Sequence, residues 1–195
     1  MKTLRWTLLT TVGLAAGVTA AVVLGEPIER VVGMILVTPV LTGLVGAFLG
    51  AAQFLQLRRL FDVSPLRWVL GTCLGLGAGL AGGVVLVEQV GRLLTGGQVR
   101  LLALDPLSRA GSFAVVGIVA GLLLGIGQSL ALRPSAPGRW ATMCAVALGA
   151  GFPLSSLLVD MLLGGLGSPQ GLLAFLIASG VALGVITAQP LRRHT

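Results

Sequence analysis

One stretch of the sequence occurs three times: an Arg-Trp pair, about twenty almost wholly apolar residues, and then a carboxylate. The copies run from Arg5-Trp6 to Glu26, from Arg67-Trp68 to Glu88 and from Arg139-Trp140 to Asp160. The Trp-to-acid spacing is 20 residues in every copy. Twenty helical residues rise about 30 Å, which is the thickness of the hydrocarbon core of a bilayer. The stretch therefore predicts a membrane-spanning helix that the chain uses three times.

The composition supports an integral membrane protein. Only 10% of the 195 residues are charged and 55% are apolar, whereas soluble domains carry about 25% charged residues. Six apolar spans are predicted, at residues 6–25, 31–57, 68–87, 111–132, 140–163 and 171–191. The net charge of +7 does not indicate a nucleic-acid partner, because the basic residues flank the spans instead of forming a surface patch.

The distribution of charge predicts the orientation. With six spans, the termini and the loops near residues 58–67 and 133–139 share one side, which holds nine basic residues and one acid. The opposite side holds four basic residues and five acids. Basic residues accumulate on the cytoplasmic side of membrane proteins, so we expect a protein of the bacterial inner membrane with both termini in the cytoplasm. Trp6, Trp68 and Trp140 would then be anchors at the inner interface, where amphipathic rings are favoured.

The even-numbered spans also repeat. Gly46, Gly50, Gln53, Leu57 and Arg58 match Gly121, Gly125, Gln128, Leu132 and Arg133, and the last span keeps Gly180, Gly184, Leu191 and Arg192. The repeated unit is then a helical hairpin that leaves from Arg-Trp, turns at the acid and returns to Leu-Arg. The predicted fold is an all-α membrane domain covering 1–195, built from three parallel hairpin repeats at 5–59, 67–133 and 139–193.

The pattern Gly-x-x-x-Gly-x-x-Gln-x-x-x-Leu-Arg, found at Gly46 to Arg58 and at Gly121 to Arg133, resembles that of a group of bacterial multi-pass membrane proteins. That group is functionally uncharacterised, so the resemblance implies a membrane location and no activity.

Glycines on one face of each span predict close helix packing. Lipid tails give helices no hydrophobic reason to associate, and small residues let two backbones approach. The expected packing positions are Gly13, Gly17, Gly46, Gly50, Gly75, Gly79, Gly121, Gly125, Gly151, Gly180 and Gly184.

Two polar features are candidate sites. Gln53 and Gln128 project from packing faces and need partners inside the membrane. One interpretation is a hydrogen bond to a carbonyl of a neighbouring helix; the other is a polar site where the repeats meet, completed by Thr187 or Gln189. The carboxylates of Glu26, Glu88 and Asp160 form an outer acidic ring if they converge, which would attract a cation. Alternatively they are exposed acids, with Arg30 and Arg92 placed four residues after the two glutamates for helical ion pairs.

The sequence offers little for catalysis. It has one histidine, His194, and no tyrosine, and ionisable residues are missing from the centres of the spans. We expect no enzyme, no cofactor and no metal. Two functions stay open: a compact non-catalytic subunit or scaffold that packs against a membrane-protein partner or a second copy, and a small transporter or channel with a polar site on the repeat axis.

Overall fold

The computed structural model describes residues 2–59, 63–97, 101–132, 137–166 and 168–191. In these ranges the chain is helical and has no strand. The helices are α1 (Lys2–Leu57), α2 (Pro65–Thr95), α3 (Pro106–Leu132), α4 (Pro137–Leu163) and α5 (Pro169–Leu191), with a short 3₁₀ helix at Leu101–Ala103.

Six segments of these helices are long and apolar enough to cross a membrane, which confirms the prediction of an all-helical, six-span protein. They are Thr3–Val31, Val37–Leu57, Pro65–Thr95, Pro106–Leu132, Gly138–Leu163 and Gln170–Gln189. Lipid is therefore one partner of this chain.

Helix α1 supplies two of the six spans because it folds back on itself. Helical residues run from Lys2 to Leu57 with Pro27 and Pro39 among them, yet Gly13 lies against Leu49 and Ala52, and Gly17 against Val45. A straight helix would hold residues 13 and 52 about 58 Å apart, so the chain reverses between residues 25 and 41. We call Thr3–Val31 the first arm and Val37–Leu57 the second arm of α1.

The first arm continues for about one helical turn past the acid at which the repeat is expected to turn. Residues 26–30 are still helical, and Arg30 forms an ion pair with Glu26 one turn away. Similarly, α2 runs past Glu88 to Thr95, where Gly96 ends it in the left-handed conformation with φ of 68°. Neither glutamate interrupts a helix, and both are exposed.

The spans pack as a closed ring in chain order. The two arms of α1 contact each other, the second arm contacts α2, and contacts continue from α2 to α3, α4 and α5. Helix α5 closes the ring by packing on the first arm of α1, where Gly180 and Gly184 lie against Thr11 and Thr7. The ring thereby gives the bundle a core that none of its spans could enclose alone.

Glycines bring the backbones of neighbouring spans into contact. A Cβ atom added to Gly46 would lie 2.7 Å from Cα of Cys73, one on Gly121 would lie 2.5 Å from Cα of Ala145, and one on Gly180 would lie 2.8 Å from Cα of Thr11. No side chain fits at such distances. The three contacted residues each follow a repeat tryptophan by five positions.

Candidate functional site

The three tryptophans lie inside the bundle, where they pack in one apolar cluster with Leu57, Val63, Cys144 and Ala188. Trp6 is 1% exposed, Trp68 0% and Trp140 5%. Their rings therefore contact other helices of the bundle, and the prediction that they lie at the inner interface, which concerns their depth in the membrane, stays a prediction. The glycine contacts turn the tryptophan-bearing faces toward neighbouring helices, so the rings fill the core. We call this end of the bundle the Trp end, and the end that carries Glu26, Glu88 and Asp160 the acid end.

Buried polar side chains from four spans meet beside the tryptophans. Gln128 Nε2 donates to Gln53 Oε1 at 3.0 Å and to Thr72 Oγ1 at 3.2 Å. Gln53 Nε2 donates to Thr10 Oγ1 at 3.2 Å. Gln128 Oε1 accepts a hydrogen bond from Trp140 Nε1 at 3.0 Å. The two glutamines therefore hydrogen-bond each other, and their partners are side chains instead of the helix carbonyl that one interpretation expected.

A second tryptophan makes a similar bond across the closure of the ring. Trp6 Nε1 donates to Thr187 Oγ1 at 2.9 Å, and the Thr187 hydroxyl donates to the carbonyl of Leu183. Thr187 is 1% exposed, whereas Gln189 is exposed. Of the two candidates in the last span, the structure thus brings only Thr187 into the core. We give the name polar cluster to seven of the buried residues that hydrogen-bond between spans, all near the Trp end: Trp6, Thr10, Gln53, Thr72, Gln128, Trp140 and Thr187.

The polar cluster follows one rule with one exception. Trp140 donates to the polar residue of the preceding even-numbered span, Gln128, and Trp6 donates in the same way to Thr187. By this rule Trp68 would donate to Gln53. Its Nε1 instead has no hydrogen-bond partner among the described residues, although the side chain is fully buried. The oxygen of Gln53 accepts from Gln128.

Sequence reasoning missed Thr10 and Thr72, although the repeat contained the information. Each follows a tryptophan by four residues, and Cys144 holds the same place after Trp140. Aligning the three copies for polar residues, as well as for glycines, would have identified them. The Ser155–Ser179 hydrogen bond, with 3.1 Å between the hydroxyl oxygens, has no counterpart in the other copies and could not have been found this way.

The three carboxylates differ in their surroundings and the structure does not bring them together. Glu26 pairs with Arg30 on an exposed helix face, and its side chain is 75% exposed. Glu88 is also exposed, and no ion pair joins it to Arg92 within the described ranges. Asp160 is only 10% exposed at its side chain and lies 3.2 Å from Arg109 of α3. Asp160 has Gly164 in place of the basic residue that follows the two glutamates by four positions, and its basic partner comes from another helix.

The described residues contain no group of three histidine, cysteine, aspartate or glutamate side chains able to hold a metal ion. Just outside the spans, Asp105 accepts hydrogen bonds from the amides of Leu107 and Ser108 at the start of α3. The Ser108 hydroxyl and these amides lower the pKa of Asp105. Asp105 therefore caps the start of α3.

Two surface grooves of the described structure lie away from the polar cluster. A groove of about 550 Å³ between α1 and α2 is lined by Leu24, Ile28, Pro39, Val40, Gly43, Leu44, Ala47, Cys73, Leu74, Gly77 and Ala78. A second, of about 370 Å³, lies between α2 and α3, with Ser108 and Ser112 in its lining. Neither groove reaches Gln53 or Gln128. Comparisons with protein families, curated proteins and solved structures found no match to this chain.

Proposed function

We propose that this chain is a compact multi-pass membrane protein that acts as a non-catalytic subunit or scaffold. The observation that carries the proposal is the environment of Gln128. Its amide is 1% exposed, its nitrogen donates to two side chains and its oxygen accepts from a third. A glutamine that binds a solute must offer a donor or acceptor to that solute. Here these groups are engaged within the protein, which favours a structural role.

The proposed architecture is three hairpin units, at 5–59, 67–133 and 139–193, related by a pseudo-three-fold axis along the membrane normal. Two sets of contacts support it. The glycines of each even-numbered span meet the next odd-numbered span one and five residues after its tryptophan. Trp140 of the third unit also donates to Gln128 of the second, and Trp6 of the first unit donates to Thr187 of the third, so both bonds join a unit to the one before it in the ring. Gly-x-x-x-Gly packing would then hold the units together within the bilayer.

The proposed location is the bacterial inner membrane with both termini in the cytoplasm. The excess of basic residues at the Trp end supports this orientation. A scaffold also needs a binding surface, and the proposed partner is another membrane protein or a second copy that packs on the outer helix faces.

The test is to isolate the protein from its native membrane in native nanodiscs and to measure the mass of the assembly. We expect a fixed stoichiometry with a protein partner or with a second copy. A monomer accompanied only by lipid would contradict the scaffold function.

The competing function, a small transporter or channel, draws support from the meeting of Gln53 and Gln128 in the core. Solute flux into proteoliposomes would test it, with Gln128→Leu as the blocking variant and Gln189→Leu, at an exposed site, as the matched control. If wild type and Gln189→Leu carry the solute and Gln128→Leu does not, the protein is a transporter or channel and the scaffold proposal is wrong. Equal leak in all three proteins would support the scaffold.

A further inference from the structure

The Trp end carries a rim of exposed arginines. Arg5, Arg58, Arg59, Arg67 and Arg139 are all exposed, and none forms an ion pair among the described residues. Asp62, the one acid that the sequence places at this end, lies outside the described residues. The rim is therefore a concentrated positive charge with no acidic neighbour in the part of the chain that the structure describes.

The arginines lie within three residues of an end of a candidate membrane span, which is where membrane proteins meet the lipid headgroups. Three of them directly precede the buried tryptophans, and Arg58 and Arg59 directly follow Leu57, which is fully buried. Leucines that face outward lie beside them: Leu4 and Leu66 are each 66% exposed, and Leu70 is 47% exposed. A ligand at this rim thus meets cationic groups and an apolar surface within about one helical turn.

One position on the rim is best defined. The second arm of α1 ends at Leu57 and α2 begins at Pro65. These ends are neighbours because a Cβ on Gly50 would lie 3.1 Å from Cα of Val69. Arg58 and Arg59 follow the last residue of the second arm and Arg67 lies in the first turn of α2, so all three belong to the Trp end of two packed spans. Guanidinium groups bind phosphate oxygens through paired hydrogen bonds, and basic sites between membrane helices suit anionic lipids.

We propose that this junction, formed by Arg58, Arg59 and Arg67, binds the phosphate of an anionic phospholipid. The acyl chains of the lipid lie along the outward-facing leucines of α2. A nucleic acid or an acidic protein is disfavoured because the arginines follow the helix ends and adjoin surface that faces lipid. The inference is independent of the scaffold function and of which side of the membrane the rim occupies.

The experiment uses the full-length protein in nanodiscs of phosphatidylcholine and phosphatidylglycerol at a ratio of 3:1, and in nanodiscs of phosphatidylcholine alone. Lipid that stays bound after release from the nanodisc is counted by native mass spectrometry, and the melting temperature is measured in both bilayers. Because each arginine near an anionic surface contributes about 1 kcal/mol, removing three should weaken phosphatidylglycerol retention on the order of 100-fold. The test variant is R58Q/R59Q/R67Q.

The control variant is R30Q/R92Q, which removes two exposed arginines from the acid end. We expect wild type and control to retain phosphatidylglycerol and to melt at a higher temperature in its presence, and we expect 0.5 M salt to reduce both effects. The triple variant should keep its fold, since the three side chains are exposed, and lose the lipid. Equal retention of the two lipids by wild type, or equal loss of phosphatidylglycerol in the triple and control variants, would overturn the proposal.

Discussion

Replacing the tryptophans one at a time by phenylalanine separates the hydrogen bonds of the core from its packing. Trp140→Phe removes the donor that Gln128 Oε1 accepts at 3.0 Å and leaves Cys144 Sγ at 3.9 Å as a weak contact. Trp68→Phe makes the same change in side-chain volume but removes an N–H that has no partner among the described residues. The first variant loses a bond and the second relieves an unsatisfied donor.

The expected difference follows from typical magnitudes. Hydrogen bonds between membrane helices contribute about 0.6 kcal/mol on average and up to about 1.7 kcal/mol, and an unsatisfied buried group costs about 1–3 kcal/mol. Trp140→Phe should therefore be about 2 kcal/mol more destabilising than Trp68→Phe. Trp6→Phe, which removes the bond to Thr187, should resemble Trp140→Phe.

The assay is reversible unfolding in mixed micelles of mild detergent and dodecyl sulfate, followed by far-ultraviolet circular dichroism. Circular dichroism is preferable to fluorescence because each variant removes a fluorophore. If Trp68→Phe destabilises the protein as much as the other two substitutions, the tryptophans act through packing alone and the assignment of the polar cluster is refuted.

Three further changes test other contacts. Gly121→Ala should cost about 1–3 kcal/mol by overpacking, because a Cβ there would lie 2.5 Å from Cα of Ala145. Gly82→Ala is the control, because a Cβ there would contact no neighbouring helix, and it should not lower the unfolding midpoint. Equal destabilisation by the two substitutions would contradict the packing. Asp160→Asn should lower stability by about 1.5–3 kcal/mol, since it removes the carboxylate that lies 3.2 Å from Arg109. An unchanged unfolding midpoint would contradict a stabilising role of this pair. Hydrogen bonding lowers the pKa of Asp105, so its cap should stabilise α3 fully at pH values above the ordinary carboxyl pKa. This stabilisation should be lost as the pH falls through the lowered pKa. Asp105→Ala should remove this contribution to the pH dependence of the melting temperature, and an identical pH profile in wild type and variant would contradict the assignment of the cap.

The number of spans and their approximate positions could be predicted from the sequence because a bilayer imposes both length and apolarity on each of them. The glycine positions could also be identified, since they recur in one register. The burial of the tryptophans in the core could not be predicted. An Arg-Trp pair at a membrane boundary fits an anchor as well as a core residue, and only the rotation of the helix distinguishes the two.

The hydrogen-bond and ion-pair partners of the polar residues could not be predicted from the sequence, for a related reason. Gln53 and Gln128 stand at equivalent positions, which favours two equivalent sites, yet in the folded chain they bond each other. Asp160 lacks a basic residue one turn away on its own helix, and its partner Arg109 is supplied by α3. Contacts of this kind depend on how neighbouring helices are rotated and shifted, and a periodic pattern within one helix does not determine that.

Hydrogen–deuterium exchange of the indole N–H groups tests the central claim, that the polar cluster is closed, structural packing. Wild-type protein labelled with ¹⁵N-tryptophan in nanodiscs gives three indole signals, which the phenylalanine variants assign. We predict that the Trp6 and Trp140 signals persist after transfer to D₂O, long after exposed amide signals have disappeared, because both donors are buried and bonded to side chains. Loss of both signals within the mixing time would mean that water reaches the polar cluster in the folded protein, and it would contradict the claim.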